Sequence, residues 1–214
     1  MTTMTRTKQL EVVREELGDC HRCPLGDTRK NIVYGVGSPN ASLVFIGEGP
    51  GADEDERGEP FVGYAGALLT KMIVAMGWTR DGVYIANIIK CRPTTKDGEN
   101  RQGNEEEVAQ CFPFLEKQLA AIRPLVIVTL GNLATKTLLK TDVGITRMRG
   151  HWASVDVAGV PTKVMPTFHP SNLLRDPSHK KYAWSDLQVV GVELATQNVY
   201  PPSPPWVPRN RKKR

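Results

Sequence analysis

Residues 44–63 read "VFIGEGPGADEDERGEPFVG", and this stretch decides the fold. An apolar strand ends at Gly47, glycines 49 and 51 flank Pro50, and carboxylates crowd in at Glu48, Asp53, Glu54, Asp55 and Glu56. The segment closes on Phe61, held between Pro60 and Val62-Gly63. A glycine-rich turn behind a strand is a common seat for a nucleotide phosphate in α/β proteins. A phosphate cradle, however, wants lysine and few acids. The stretch predicts a buried strand with a site at its carboxyl end, but no P-loop and no nucleotide cofactor.

Working outward, the same alternation recurs. Residues 7–18 have helical character. Short apolar runs follow at 42–47 "SLVFIG", 83–89 "VYIANII", 125–131 "LVIVTLG" and 163–168 "KVMPTF". Such continuous runs suit buried parallel strands. Helices are expected at 64–76, 104–121, 132–140 and 179–196, the second opening on Asn104 and Glu107 at capping-box spacing. A hairpin fits within 144–160. The βαβα order implies one open sheet covered on both faces, with the site beyond the strands' carboxyl ends. One domain is expected over 1–198, followed by a flexible Pro-rich basic tail at 199–214.

That tail accounts for the charge. Five of the final six residues are basic (Arg209, Arg211, Lys212, Lys213, Arg214), and without them 23 basic side chains balance 23 acidic ones. The tail reads equally as a solvated end or as a non-specific anchor for nucleic-acid phosphates. No apolar run approaches the ~20 residues of a membrane span. The amino terminus lacks the apolar core of a secretory signal. The expectation is a cytoplasmic, nucleoid-associated protein without a membrane partner.

Four cysteines stand at 20, 23, 91 and 111. Disulfides are unusual in an intracellular chain. A redox C-x-x-C sits at a strand-to-helix junction, which "DCHRCPLG" does not resemble. Four thiolates suit zinc or an iron–sulfur cluster. Zinc sites often pair two short knuckles, whereas Cys91 and Cys111 lie far apart, which favours the cluster. The plainer alternative is four independent buried thiols. Arg22, Lys90 and Arg92 adjoin these cysteines and would offset thiolate charge.

Taken together, the four cysteines, "GEGPGADEDERGEPFVGYAG", "NIIKCRP" and "HPSNLLRDP" resemble the family 4 uracil-DNA glycosylases, the iron–sulfur branch of their superfamily. The likeness runs from about residue 8 to residue 195. It implies a single α/β domain with a central four-stranded parallel sheet between helices. It also implies a structural [4Fe–4S] cluster on Cys20, Cys23, Cys91 and Cys111. The implied activity is hydrolysis of the N-glycosidic bond of uracil, single- or double-stranded DNA being the partner and the protein a monomer.

A glycosylase must flip its base into a fitted pocket. Phe61 matches the family phenylalanine that stacks on uracil; alone, it would pass for a core residue. Asn87, near the end of an apolar strand, would read the uracil edge, its carbonyl accepting from N3–H and its NH2 donating to O4. A buried amide must bond to something, and a backbone partner is the plainer reading. His169 would donate to O2 as negative charge gathers there. Glu48 is the candidate for positioning or activating water, and Gly49 lets the backbone approach the base. Glu54 matches a family position near uracil C5. Asp53, Asp55 and Glu56 read as solvated or bonded to the loop. Leu173 and Leu174 are expected to form an exposed apolar wedge ahead of Arg175, with Ser171 on flanking phosphates.

The sequence departs from the family between Cys91 and Cys111, where "RPTTKDGENRQGNEEEVAQ" is a few residues longer than usual. A related branch carries there a Lys-Arg-Arg-rich insertion and a histidine that bonds covalently to DNA. All four histidines here (21, 151, 169, 179) lie elsewhere, so ordinary turnover is expected. No lysine is placed by motif as a Schiff-base nucleophile, so no lyase step is expected. The rival readings are a non-catalytic iron–sulfur DNA-binding module, the DNA-crosslinking branch, and a zinc-bound nucleotide-processing enzyme.

Overall fold

A computed structural model describes residues 4–204. The basic cluster at 209–214 lies outside the described residues. In chain order the elements are α1 (Arg6–Leu17), β1 (Val36–Gly37), β2 (Leu43–Gly47), α2 (Ala52–Arg57), α3 (Tyr64–Ala75) and β3 (Tyr84–Asn87). There follow α4 (Glu105–Ile122), β4 (Val126–Leu130), α5 (Asn132–Leu139), α6 (Ile145–Met148), β5 (Ala153–Val157), β6 (Val160–Thr167), α7 (Pro170–Arg175) and α8 (Lys180–Thr196).

The sheet order is β1-β3-β2-β4-β6-β5. The four apolar runs form its parallel centre: β2 pairs with β3 and β4, and β4 with β6. Every residue of β2, β3 and β4 is buried, as strands covered on both faces must be. Alternate side chains feed two cores. Val44, Ile46 and Ile127 face Leu115 and Leu119 of α4 and Leu138 of α5. Leu43, Phe45 and Val128 face Leu69 and Ile73 of α3 and Leu187 and Val190 of α8. The three-layer α/β/α arrangement follows.

Two short antiparallel edge strands make the sheet six-stranded and mixed rather than four-stranded. β1 has two residues, too few for a periodic signal. The hairpin expected within 144–160 lies one strand later, because β5 pairs with β6 itself across Ala158-Gly159, both at positive φ. Such a two-residue turn matches the natural strand twist. At α4 the expected capping box forms: Asn104 Oδ1 accepts from Glu107 N at 2.8 Å and Glu107 Oε2 from Asn104 N at 2.9 Å. Beyond α8 the chain returns to the fold, Val199 packing on the core and Ser203 N donating to Gly77 O at 3.2 Å.

The connections fix the site. β2 lies between β3 and β4, and the chain leaves β2 over one face and β3 over the other. A crevice opens at that reversal, beyond the carboxyl ends.

Candidate active site

The crevice holds a cavity of about 350 Å³. Glu48, Gly49, Glu54, Phe61, Asn87, His169 and Ser171 all line it. They arrive from the ends of β2, β3 and β6 and from the loop after β2.

Contacts across two glycines show how closely they meet. A Cβ on Gly47 would lie 2.5 Å from Asn87 Oδ1 and 2.5 Å from the Phe61 ring. Only glycine leaves room for the two side chains to share a wall. Phe61 faces His169 with ring centroids 5.6 Å apart. A Cβ on Gly131, at φ 94°, would meet Glu48 Oε1 at 2.8 Å and His169 Cβ at 3.1 Å. Asn87, Phe61, His169 and Glu48 thus form one continuous rim.

Each is held from behind. Phe61 sits at φ 54°, a left-handed conformation costly for a non-glycine residue. Arg80 fixes it, its guanidinium donating to Phe61 O at 3.1 Å and Pro60 O at 2.8 Å. Gly66 in α3 lets that backbone pack close, since a Cβ there would fall 1.9 Å from Phe61 O. Glu54 ties the loop together, accepting from Val62 N at 2.8 Å, Gly63 N at 2.9 Å and Gly51 N at 3.1 Å. Asp55 accepts from Lys30 N at 2.9 Å, and Glu56 pairs with the Lys30 ammonium. Among the clustered carboxylates, Glu54 and Asp55 shape backbone, and Glu48, Asp53 and Glu54 line the cavity.

His169 Nδ1 accepts from Ser171 N at 3.1 Å, and the Ser171 hydroxyl lies 2.7 Å from the same nitrogen. Its proton therefore resides on Nε2, making that atom a donor. Burial, then the charge of Arg175, lowers its pKa to about 4, against a smaller opposing pull from Glu54. The ring is neutral at physiological pH. Thr167, two residues earlier, donates to the buried Asp186 at 2.7 Å, and Asp186 pairs with Arg149. This anchors the strand end that carries the histidine.

Glu48 sits at the amino end of α5, Oε1 accepting from Leu133 N at 3.2 Å. Burial raises its pKa, with Leu133 N–H, Arg175 and Asn132 N–H pulling the other way. Asn87 is 2% exposed, and its Oδ1 has no hydrogen-bond partner. Among the described residues, none supplies the partner that Asn87 requires for this buried oxygen. Its backbone carbonyl accepts from the Lys90 ammonium at 2.9 Å.

The wedge expectation needs correction. Leu173 is 1% exposed and packs in the core with Ala183 and Leu187. The i, i+1 spacing on a helix turns the two leucines to different faces, and Leu174 alone is exposed, at 44%. Arg175 is exposed and lies close enough to influence both Glu48 and His169.

Several wall residues escaped the sequence reading. The 92–104 segment folds as a small hairpin bridged between Thr94 and Asn100, and Asn100, Arg101, Gln102 and Gly103 line the cavity. Arg101 clasps Glu107, and Arg92 donates to Asn100 Oδ1 at 2.7 Å rather than to a sulfur. Gly47 and Gly66 carried a signal in "IGEG" and "GYAG", since glycine inside an element often marks close backbone approach. Arg80 carried none.

The four cysteines line one small cavity between α1, the end of β3 and α4. Lys90 N donates to Cys111 Sγ at 3.2 Å and Arg22 Nη1 to Cys20 Sγ at 3.3 Å. Burial pushes the Cys91 thiol up to about 12 and raises that of Cys111. Among the described residues no three or more acidic, histidine or cysteine side chains are gathered round a single ion. Four thiols around one shared space, two of them with an N–H donor, make a set of candidate sulfur ligands.

Fold and cavity together define a class: an α/β protein whose candidate site lies beyond the carboxyl ends of its parallel strands. Residues 34–188 match the model of the uracil DNA glycosylase superfamily. The type-4 uracil-DNA glycosylase of Thermotoga maritima is 45% identical over 177 residues, covering 82% of this chain and 88% of that one. That of Archaeoglobus fulgidus is 40% identical over 188 residues, covering 86% and 92%. A type-5 uracil-DNA glycosylase of Pyrobaculum aerophilum is 34% identical over 152 residues, 64% of each chain. This chain belongs to the type-4 family of uracil-DNA glycosylases.

Proposed function

We propose that the protein is a monofunctional uracil-DNA glycosylase, acting as a monomer on uracil flipped from single- or double-stranded DNA. The observation that carries the reading is the buried, unpartnered Oδ1 of Asn87 on the wall it shares with Phe61. Uracil N3–H supplies the missing donor. Cytosine presents an acceptor at N3 and leaves Oδ1 unsatisfied, at a cost of about 1–3 kcal/mol. Phe61 offers its ring face to the base. As the bond from C1′ to N1 breaks, the electron pair passes to the uracil ring, and His169 Nε2–H donates to the oxygen where charge collects. Glu48 orients a water, whose oxygen bonds to C1′ and whose proton the carboxylate takes. The uracil anion then gains a proton through solvent as Glu48 gives up the one it took, and the products are free uracil and an abasic site.

Leu174 and Arg175, exposed on the helix that carries Ser171 of the cavity wall, suit insertion into the vacated stack and contact with phosphate. Ser171 serves His169 in the first place. Cys20, Cys23, Cys91 and Cys111 would hold a [4Fe–4S] cluster, which when bound supplies cross-linking rather than chemistry. Its residues tie the loop after α1 to β3 and α4. An intracellular role in DNA repair follows.

The test is uracil release by cluster-containing protein from single- and double-stranded oligonucleotides. Free uracil and alkali-labile abasic sites are expected. Binding without release identifies the non-catalytic module instead.

A further inference from the structure

Tyr64 is 87% exposed, yet it lines the mouth of the cavity from the first turn of α3. Among the described residues no hydrogen bond or ring contact holds its side chain. An aromatic ring left in water at the entrance of a ring-binding slot gains nothing from the fold. The charges around it are informative. The cavity is lined by three carboxylates, Glu48, Asp53 and Glu54, and by one fixed cation, Arg101. That guanidinium is clasped by Glu107 at two nitrogens. Asp53 also lies over the start of α3, where a Cβ on Gly63 would meet its Oδ2 at 2.4 Å. A phosphate approaching that helix end meets a carboxylate first.

On this side of the mouth, therefore, a DNA strand is repelled at its phosphates and offered an open aromatic face. We propose that Tyr64 is a stacking platform for the nucleobase adjacent to the flipped uracil on the same strand, an inference that rests on the glycosylase reading above. Aromatic stacking tolerates any base, and needs no counter-ion release. Single-stranded substrate, whose neighbouring bases are free to leave their own stack, gains most.

The experiment uses the full cluster-containing chain and uracil oligonucleotides carrying 2-aminopurine beside the uracil. Tyr64→Ala is expected to raise KM on single strands about tenfold, with a smaller rise on duplex. Tyr64→Phe and Tyr64→Trp are expected to retain the wild-type value. The single-turnover rate at saturation and the melting temperature should not move, because the ring contacts neither the reacting atoms nor the core. The KM ratio should be equal at low and high salt, and the 2-aminopurine signal should change with Tyr64→Ala alone. An unchanged KM overturns the proposal. So does a loss in Tyr64→Phe equal to that in Tyr64→Ala, which would assign the effect to the hydroxyl, or a loss that fades with salt. If the wild-type chain releases no uracil, the glycosylase reading falls and takes this inference with it.

Discussion

The base slot and the cysteine corner are built from the same seven-residue segment, 87–93, and treat their polar groups in opposite ways. At Asn87 the segment leaves a buried oxygen without a partner. Three residues on, Lys90 is fully buried with its ammonium on the Asn87 carbonyl and its N–H on Cys111 Sγ. The corner supplies two of its four sulfurs, those of Cys20 and Cys111, with donors from within the protein; the slot withholds one from Asn87. A site that recognises something must keep an interaction in reserve, whereas a site that holds the chain together gains by spending all of them.

The comparison breaks first at Glu48. Glu48→Gln should slow single-turnover excision by roughly 10²–10⁴-fold, the usual span for a general base, with the melting temperature unchanged. A large fall in stability would show that the carboxylate belongs to the scaffold. Next in size is Gly47→Ala, whose methyl would fall 2.5 Å from both Asn87 Oδ1 and the Phe61 ring. Displacing the slot wall by that much should cost on the order of 100-fold in kcat/KM. Activity within twofold of wild type would mean that the wall is not where the base sits.

The leucines sharpen the contrast between core and surface. Leu173→Ala should destabilise the fold by about 2–5 kcal/mol, read by denaturant unfolding. Leu174→Ala should leave stability alone and weaken turnover on duplex more than on single strands. In the cysteine corner, Cys91→Ser should lower the melting temperature and abolish visible absorption.

The smallest expected effect concerns pH. His169 has a folded pKa of about 4 against an ordinary 6.5. Below pH 6.5 the unfolded chain binds a proton that the folded site refuses. The resulting stability is complete above 6.5 and fades as pH falls towards 4. His169→Asn should flatten that part of the stability curve. Above about pH 4 the ring is mostly neutral, so the acid limb of excision should belong to Glu48, which burial holds above the ordinary carboxylate value, and vanish in Glu48→Gln.

Much of this was legible in the chain. Buried parallel strands announce themselves as unbroken apolar runs, and β2, β3 and β4 fell where those runs stood. Site residues at strand ends, Glu48 and Asn87, came with them. What stayed hidden depends on contacts across the fold. A two-residue strand such as β1 has no period to detect. The two leucines of α7 are equivalent as letters, and only the helix direction sends Leu173 inward. Arg80 supports Phe61 from nineteen residues away with no motif to mark it. Glu54 was expected near the base; it does line the cavity, but its three backbone partners, which also shape the loop, had no signal in the sequence.

Those three N–H groups, from Gly51, Val62 and Gly63, make the concave anion seat that a phosphate would otherwise take. The chain has filled the seat with a tethered tenant of its own. In a cell crowded with free nucleotides, a competing triphosphate would have to evict a carboxylate that can never diffuse away. Only a ligand that brings its ring, and not its charge, to the crevice finds the door open.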